Sequence, residues 1–289
     1  MIVRASERVL IQGITGRQGT FWTERMQAYG TRIVAGVNPK KAGTVHCGVP
    51  VYANAGQAMR ETGFEVSVLF IPALGVKAAA VDAIEAGCKR LVILTEHVPV
   101  HDVMELLAAA KANDACVVGP NTAGLVTPGE CFTGFMPAFE RDIFRPGSIG
   151  VISRSGSLGT LICLNLVQAG FGESAFVGIG GDPIIGTTTL DALRILDADP
   201  GTQAVALVGE IGGTMEEDAA EYIAGMKKPV VAFIAGGASP PGKKMGHAGA
   251  IVIGNRGSHA SKRKALEAAR AVVIQSPSDI GPAMREAIG

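Results

Sequence analysis

The chain has 289 residues, 47% of them hydrophobic, which is enough for two ordinary α/β domains with buried cores. Its 26 Lys and Arg residues balance its 26 Asp and Glu residues, so no charge surplus suggests a nucleic acid or a membrane surface as the main partner. Five scattered cysteines, never in C-x-x-C spacing, argue against a disulfide framework and a zinc site.

The chain shows no pattern of export or of membrane insertion. Its first residues run directly into a strand pattern, and no later window holds about eighteen uncharged apolar residues. We therefore expect a folded protein of a reducing compartment, which is the cytoplasm, or the mitochondrial matrix in a eukaryote. We expect its binding sites to be local and to contain no resident metal.

Residues 1–122 alternate short β-branched runs with longer amphipathic stretches. This rhythm predicts a doubly wound parallel sheet, and we expect a Rossmann-like domain over these residues. In the first amphipathic stretch Trp22, Met26 and Tyr29 share one face, as a helix packed on a sheet requires.

A glycine loop follows the first strand with the spacing G-x-x-G-x-x-G, at Gly13, Gly16 and Gly19. Such a loop can be a tight turn alone, or it can bring backbone amides to a pyrophosphate at the start of a helix. The second strand ends before Lys40 and Lys41, where an NAD enzyme has an acidic residue. The lysines suit either an exposed surface or the extra ribose phosphate of NADP or coenzyme A (CoA).

The second part of the chain begins with a break in the rhythm. Residues 123–147, rich in Gly, Pro and Phe, have neither a helical nor a strand period, and we interpret them as a connector. A second series of strand and helix patterns covers residues 148–289. We expect a flavodoxin-like doubly wound domain there, because its first turn lacks a dinucleotide fingerprint.

Four loops of this second domain follow predicted strands, at residues 153–157, 178–183, 209–213 and 236–249. The carboxyl ends of parallel strands lie along one edge of a sheet, so these loops should converge on one site. In the first loop, serine hydroxyls and backbone amides at a helix start would form an anion cradle, although a single serine there is also an ordinary helix cap.

Glu210 and His247 are the candidate catalytic residues. Glu210 lies between glycines, where it is either an exposed acid or a carboxylate that fixes the tautomer of an imidazole. His247 lies in a glycine-rich loop, as a surface residue or as a nucleophile that carries a phosphoryl group between two sites. The remaining histidines have no partners at metal-ligand spacing and are interpreted as structural; they are His46, His97, His101 and His259.

Eight segments in order resemble the α-subunit family of succinyl-CoA synthetases, the phosphohistidine acyl-CoA ligases. The resemblance runs from about residue 8 to the C-terminus. The segments are GITGRQGTF, GVNPKKAG, LTEHVP, GPNTAGLVTPGEC, GVISRSGSLG, VGIGGDPIIGTTTLDAL, GEIGGTMEEDAAEYI and PPGKKMGHAGAI.

The resemblance implies an N-terminal CoA-binding domain followed by a ligase domain. It implies that His247 is phosphorylated and that Glu210 orients it. The phosphate-binding candidates are Ser153, Ser155 and Gly156. The CoA-binding candidates are Thr15, Gly16, Arg17, Gln18, Lys41, Leu94, Thr95 and Glu96.

The resemblance also implies a reaction and a partner. A β subunit with an ATP-grasp fold would supply ATP or GTP with Mg²⁺, in an αβ or α2β2 assembly. His247 would be phosphorylated, a small dicarboxylic acid would become an acyl phosphate, and the CoA thiol would displace the phosphate.

The substrate candidates are Thr160 and Ala123, where the sequence departs from succinate-specific members. Thr160 replaces a family tyrosine, and Thr122 replaces a family cysteine. The loss of this tyrosine ring and of a neighbouring family glutamate, where the chain has Leu161, predicts a larger pocket with altered charge, which favours a substituted relative of succinate such as malate or another dicarboxylate. The rival functions are an NADP-dependent oxidoreductase, which leaves the second domain's loops unexplained, and a CoA-binding protein without catalysis.

Overall fold

The computed structural model describes residues 2–238, 247, 249–250, 252 and 256–289. Their backbone forms two seven-stranded sheets with helices packed against them. No helix within these residues is both long and apolar enough to span a membrane.

The first sheet carries the Rossmann-like arrangement. Its elements are β1 (Val9–Gln12), α1 (Arg17–Tyr29), β2 (Ile33–Val37), β3 (Val45–His46), β4 (Val49–Tyr52), α2 (Ala55–Glu61), β5 (Val66–Leu69), α3 (Val76–Glu85), β6 (Arg90–Ile93), α4 (Val100–Ala112) and β7 (Cys116–Val118). The strand order is β3-β4-β2-β1-β5-β6-β7. Apart from the antiparallel β3, this is the parallel 3-2-1-4-5-6 order of a Rossmann fold, which confirms the expected class.

The second sheet carries the flavodoxin-like arrangement. Its elements are β8 (Gly124–Thr127), β9 (Cys131–Gly134), β10 (Pro146–Ser153), α5 (Gly156–Gln168), β11 (Glu173–Gly178), α6 (Thr189–Ala198), β12 (Ala204–Glu210), α7 (Met215–Gly225), β13 (Val230–Ala235), α8 (His259–Ala268), β14 (Val272–Ile274) and α9 (Ile280–Ile288). The strand order is β14-β13-β12-β10-β11-β8-β9. The parallel strands β10 to β14 follow the 2-1-3-4-5 order of flavodoxin, as expected.

Residues 123–147 differ from a plain connector, because β8 and β9 form an antiparallel hairpin at the edge of the second sheet. The hairpin also touches the first domain: the Thr31 hydroxyl donates to Phe132 O at 2.7 Å, and Phe132 N donates back to it at 3.1 Å. Both strands have four residues and are buried throughout, so they show no alternation that a sequence pattern reveals. The domain limits 1–122, 123–147 and 148–289 stay a prediction.

Residues of the central strand β1 contribute to two hydrophobic cores. Val9 and Ile11 belong to a core that continues into the second domain, whereas Leu10 faces the core on the other side of the sheet. This division follows from the period of two in a strand. The helices end and begin at ordinary caps: α1 ends at Gly30, in the left-handed region at φ 119°, and α5 begins after Ser155.

Candidate active site

His247 lies beside Glu210, the last residue of β12. Its Nδ1 is 2.8 Å from Glu210 Oε2 and 3.0 Å from Oε1. Because carboxylate oxygens only accept, Nδ1 carries the proton, and Nε2 keeps the lone pair that can act as a nucleophile. The hydrogen bond to Glu210 raises the pKa of His247 against the opposing effect of burial. The pair therefore has the tautomer that a phosphoryl acceptor needs.

Arg154 holds the Glu210 carboxylate from its other side. Its Nη2 is 3.2 Å from Glu210 Oε1, and its Nη1 donates to the carbonyl of Gly212 at 2.8 Å. The Arg154 side chain is only 2% exposed. A guanidinium in that position fixes the plane of the Glu210 carboxylate. Arg154 belongs to the predicted loop at residues 153–157, but the motif pattern alone does not place it in the site.

A buried ion pair between Lys262 and Glu216 holds the backbone around Glu210. The Lys262 ammonium donates to the carbonyls of Glu210 at 2.7 Å and of Gly212 at 2.8 Å, and also to the Glu216 carboxylate. Glu216 Oε1 accepts from the backbone N–H of Glu210 at 3.2 Å. Both side chains are 0% exposed, and burial lowers the pKa of Lys262. Sequence analysis missed both residues, because charged residues on amphipathic helices usually face water.

The contact of Gly181 with His247 explains why the 178–183 loop has glycine at this position. A Cβ added there would lie 2.4 Å from His247 Cγ and 2.5 Å from Nδ1, so the imidazole packs directly on this backbone. The same stretch is tied to the histidine loop, because Gly249 N donates to the Gly181 carbonyl at 3.2 Å. Two predicted loops thus converge at His247. The motif residues 242–246 and 248 lie outside the described residues, so the expected mobility of this loop stays a prediction.

A pocket of about 320 Å³ opens beside His247 at the start of α5. Ser155, Ser157 and Glu210 line it, together with apolar side chains. The first amides of a helix have no partner within it, so those of Gly156 and Ser157 are offered to an anion, and the helix dipole favours negative charge there. The pocket thus suits a phosphoryl group in transit.

The other predicted residues near this pocket have different environments. Ser153 is buried, and its hydroxyl donates to Ser155 O at 2.6 Å, so it holds the turn and does not line the pocket. Thr160 donates to Gly156 O at 2.8 Å, one helical turn back. A Cβ on Gly156 would lie 2.8 Å from the Ala123 side chain, so this contact requires two small residues.

A second pocket of about 710 Å³ lies at the carboxyl edge of the first sheet. Gly13, Gly16, Asn38, Lys40 and Ile71 are among its lining residues. At Gly13 φ is +80°, and a Cβ would come within 2.4 Å of a backbone oxygen, which requires glycine. The pocket combines loop amides with an ammonium group and an apolar wall, as a phosphorylated cofactor with a long apolar arm requires.

The predicted CoA-binding residues surround this pocket unevenly. Gly16 lines the pocket, whereas its lining does not include Thr15 and Lys41 of the same two loops, or Arg17 and Gln18 at the start of α1. Lys40, the neighbour of the predicted Lys41, lines the pocket, and the CoA-binding role of Lys41 stays a prediction. The other three predicted residues follow β6; Leu94 is buried, Thr95 donates to Ile71 O at 2.6 Å, and Glu96 is exposed.

No cluster of three or more His, Cys, Asp or Glu side chains suited to a metal ion occurs among the residues that the structure describes. All five cysteines are free thiols.

Two family models match the chain, one for each domain. The model of a CoA binding domain matches residues 5–97, and the model of a CoA-ligase matches residues 152–272.

The full length of the chain is similar to curated proteins. It is 49% identical over 286 residues to succinate–CoA ligase (ADP-forming) subunit alpha 2 of Archaeoglobus fulgidus, covering 99% of each chain. It is 41% identical over 281 residues to a subunit of an ADP-forming sulfoacetate-CoA ligase of Acholeplasma sp, covering 96% of this chain and 95% of the other.

Among solved structures, the ATP citrate lyase of Methanosaeta concilii in complex with (3S)-citryl-CoA has a TM-score of 0.89 at 24% identity. The match covers 100% of this chain and 50% of that chain, and it shows the fold.

Proposed function

Since the chain belongs to the family of succinate–CoA ligase α subunits, we propose that it is the α subunit of a nucleotide-dependent acid–CoA ligase. The observation that carries this proposal is the His247–Glu210 pair at the mouth of the pocket where α5 begins. A histidine in the tautomer of a nucleophile, next to a cradle for anions, is suited to carry a phosphoryl group.

The proposed reaction has three transfers. Nε2 of His247 attacks the terminal phosphorus of ATP or GTP, and the nucleoside diphosphate leaves. A carboxylate oxygen of the acid then attacks the phosphohistidine, which gives an acyl phosphate and restores the imidazole. Finally the CoA thiol attacks the acyl carbon and phosphate leaves.

Each residue of the site has a proposed part in these transfers. Glu210 balances the positive charge that develops on the imidazole, because the Nδ1 proton stays on its hydrogen bond. The amides of Gly156 and Ser157 and the hydroxyl of Ser155 hold the phosphoryl oxygens. In this arrangement Ser153 positions Ser155 and does not contact phosphate.

The first-domain pocket is the proposed CoA site. Lys40 and Lys41 are suited to the phosphates of its adenosine end, and the Gly13–Gly19 loop offers backbone amides. The apolar wall at Ile71 suits the pantetheine arm. No acidic residue follows β2, so the pocket favours CoA over NAD.

We propose succinate or a related dicarboxylate as the acid. The sulfoacetate-CoA ligase relative indicates that this scaffold also serves acids with another anionic group. Thr160 and Ala123 are small residues next to the start of α5, where they leave room for a substituted chain such as that of malate.

The proposed partner is a β subunit with an ATP-grasp fold that brings the nucleotide and Mg²⁺, in an αβ or α2β2 complex. The names of the relatives as α subunits support a partner. We propose the cytoplasm as the location, or the mitochondrial matrix in a eukaryote, because all five thiols are unpaired.

The test is transfer of label from γ-labelled ATP or GTP to the chain in the presence of its β subunit. We expect acid-labile label that is lost in His247→Ala and discharged by one acid of a panel of succinate, malate and sulfoacetate with CoA. Absence of label under every condition, with CoA binding intact, would refute the ligase and leave a CoA-binding protein.

A further inference from the structure

Asp182 is a carboxylate next to His247 that the three transfers do not use. It follows Gly181, whose backbone packs against the imidazole, and only 6% of its surface is exposed. Asn121 Nδ2 donates to its Oδ1 at 2.9 Å. That bond occupies one carboxylate oxygen, and among the described residues no donor is bonded to Oδ2, which can accept a proton.

A short series of hydrogen bonds connects Asp182 with the CoA pocket. Thr95 Oγ1 donates to Ile71 O of the pocket wall at 2.6 Å, and Asn121 N donates to Thr95 O at 2.9 Å. Gly181 N donates to Asn121 O at 3.2 Å. Asp182 therefore lies where the loops of the first domain meet the His247 site, between the wall of the first-domain pocket and the imidazole.

The surroundings of Asp182 favour proton uptake. Burial raises its pKa against the opposing effects of the Asn121 hydrogen bond and of the nearby His97 and His247, and Glu96 adds a like charge. A carboxylate with a raised pKa is a stronger base than an exposed one. By contrast, the Glu210 carboxylate is already occupied by His247 and Arg154.

We propose that Asp182 is the general base of the thioester-forming step, an inference that rests on the proposed ligase function. The CoA sulfur forms a bond with the acyl carbon as the bond from that carbon to the phosphate oxygen breaks. The phosphate leaves with the electron pair, and the thiol proton passes to the Asp182 carboxylate and then to water. In the reverse direction the protonated Asp182 returns this proton to the departing thiolate.

Asp182→Asn tests the proposal, because its amide oxygen still accepts from Asn121 while its basicity is lost. Three rates are measured with the β subunit present. The first is labelling of His247 by ATP, and the second is discharge of the label by the carboxylic acid substrate in the presence of hydroxylamine, which traps the acyl phosphate. The third is thioester formation with CoA. The control is Asp142→Asn, which removes one exposed carboxylate outside the site.

We expect Asp182→Asn to label and to form hydroxamate at wild-type rates and to form thioester about 100-fold more slowly, within the usual range for a lost general base. The deficit should shrink as the pH rises toward about 8.5, where a thiol ionises unaided. Asp182→Glu, which keeps a carboxylate, should recover part of the thioester rate.

Three results for Asp182→Asn would overturn the proposal and leave the ligase function standing. The first is an unchanged thioester rate, which would assign the thiol proton to His247 or to the leaving phosphate. The others are a loss of hydroxamate formation as large as the loss of thioester formation, and a thioester deficit that does not change with pH. Absence of label in the wild-type protein would instead overturn the ligase function itself.

Discussion

Gly181→Ala should disable His247 while leaving the fold intact. Gly181 lies outside the left-handed region, so alanine fits its backbone, but the new Cβ would meet the imidazole at 2.4 Å. Ordinary contact begins near 3.4 Å, so the ring must move by about 1 Å. Such a shift would stretch the 2.8 Å bond to Glu210 beyond hydrogen-bonding distance.

Displacing a reacting group by about 1 Å can cost a factor of about 100 in rate. We therefore expect label to reach His247 about 100-fold more slowly in Gly181→Ala, measured by rapid quench with the β subunit. The matched control is Gly225→Ala, since Gly225 ends α7 with open space where its Cβ would be.

Gly225→Ala should keep a thermal midpoint near the wild-type value, because replacing a compatible glycine changes stability by only about 0.4–1 kcal/mol. Gly181→Ala should lose about 1–3 kcal/mol from the imidazole contact, too little to unfold the protein. Wild-type labelling of Gly181→Ala would refute the packing argument. Equal slowing of both variants would show that the loss is not specific to the imidazole.

Two further predictions concern the charged groups behind His247. An imidazolium has no free lone pair, so the labelling rate should fall as the pH drops through the raised pKa of His247, above the usual value of about 6.5. Glu210→Gln removes the main cause of that raised pKa, so the fall should move to lower pH in a pH–rate profile, and an unmoved profile would contradict this assignment. The pair also stabilises the folded state fully below about pH 6.5, and this contribution is lost as the pH rises through the raised pKa. Lys262→Met leaves the buried Glu216 carboxylate with only the more distant Arg154 guanidinium at 3.7 Å, and it should lower the free energy of unfolding by about 3 kcal/mol in urea denaturation. Adding Glu216→Leu should restore much of this loss, and equal stability of the single variant and the wild type would contradict the role of the ion pair.

Local periodicity carries the prediction of both sheets, because each parallel strand is a short β-branched run and each helix has one apolar face. The hairpin of β8 and β9 could not be predicted from periodicity. Its four-residue strands are buried on both faces, and β8 pairs with β11 through Val126 and Phe176, which are 50 residues apart in the chain.

The candidate site divides in a similar way. Glu210 and His247 follow recognisable glycine motifs, whereas Lys262 and Glu216 acquire their importance from contacts 46 residues apart in sequence. Ser153 carries the same side chain as Ser155 two residues away, but Ser153 ends β10 and its hydroxyl donates to Ser155 O, whereas Ser155 is the cap residue of α5. Motif spacing cannot distinguish a serine that holds a turn from one that faces a ligand.

The β8–β9 hairpin also determines how the gene can be divided. A fragment starting at residue 148 would lack the hairpin and leave the edge of β11 unpaired, which is a template for aggregation. A fragment starting at residue 123 would keep the hairpin but lose the Thr31 hydroxyl that pairs with Phe132. Both cuts therefore remove contacts that this segment makes, and we expect recombination or truncation to tolerate breaks in exposed loops better than in this segment.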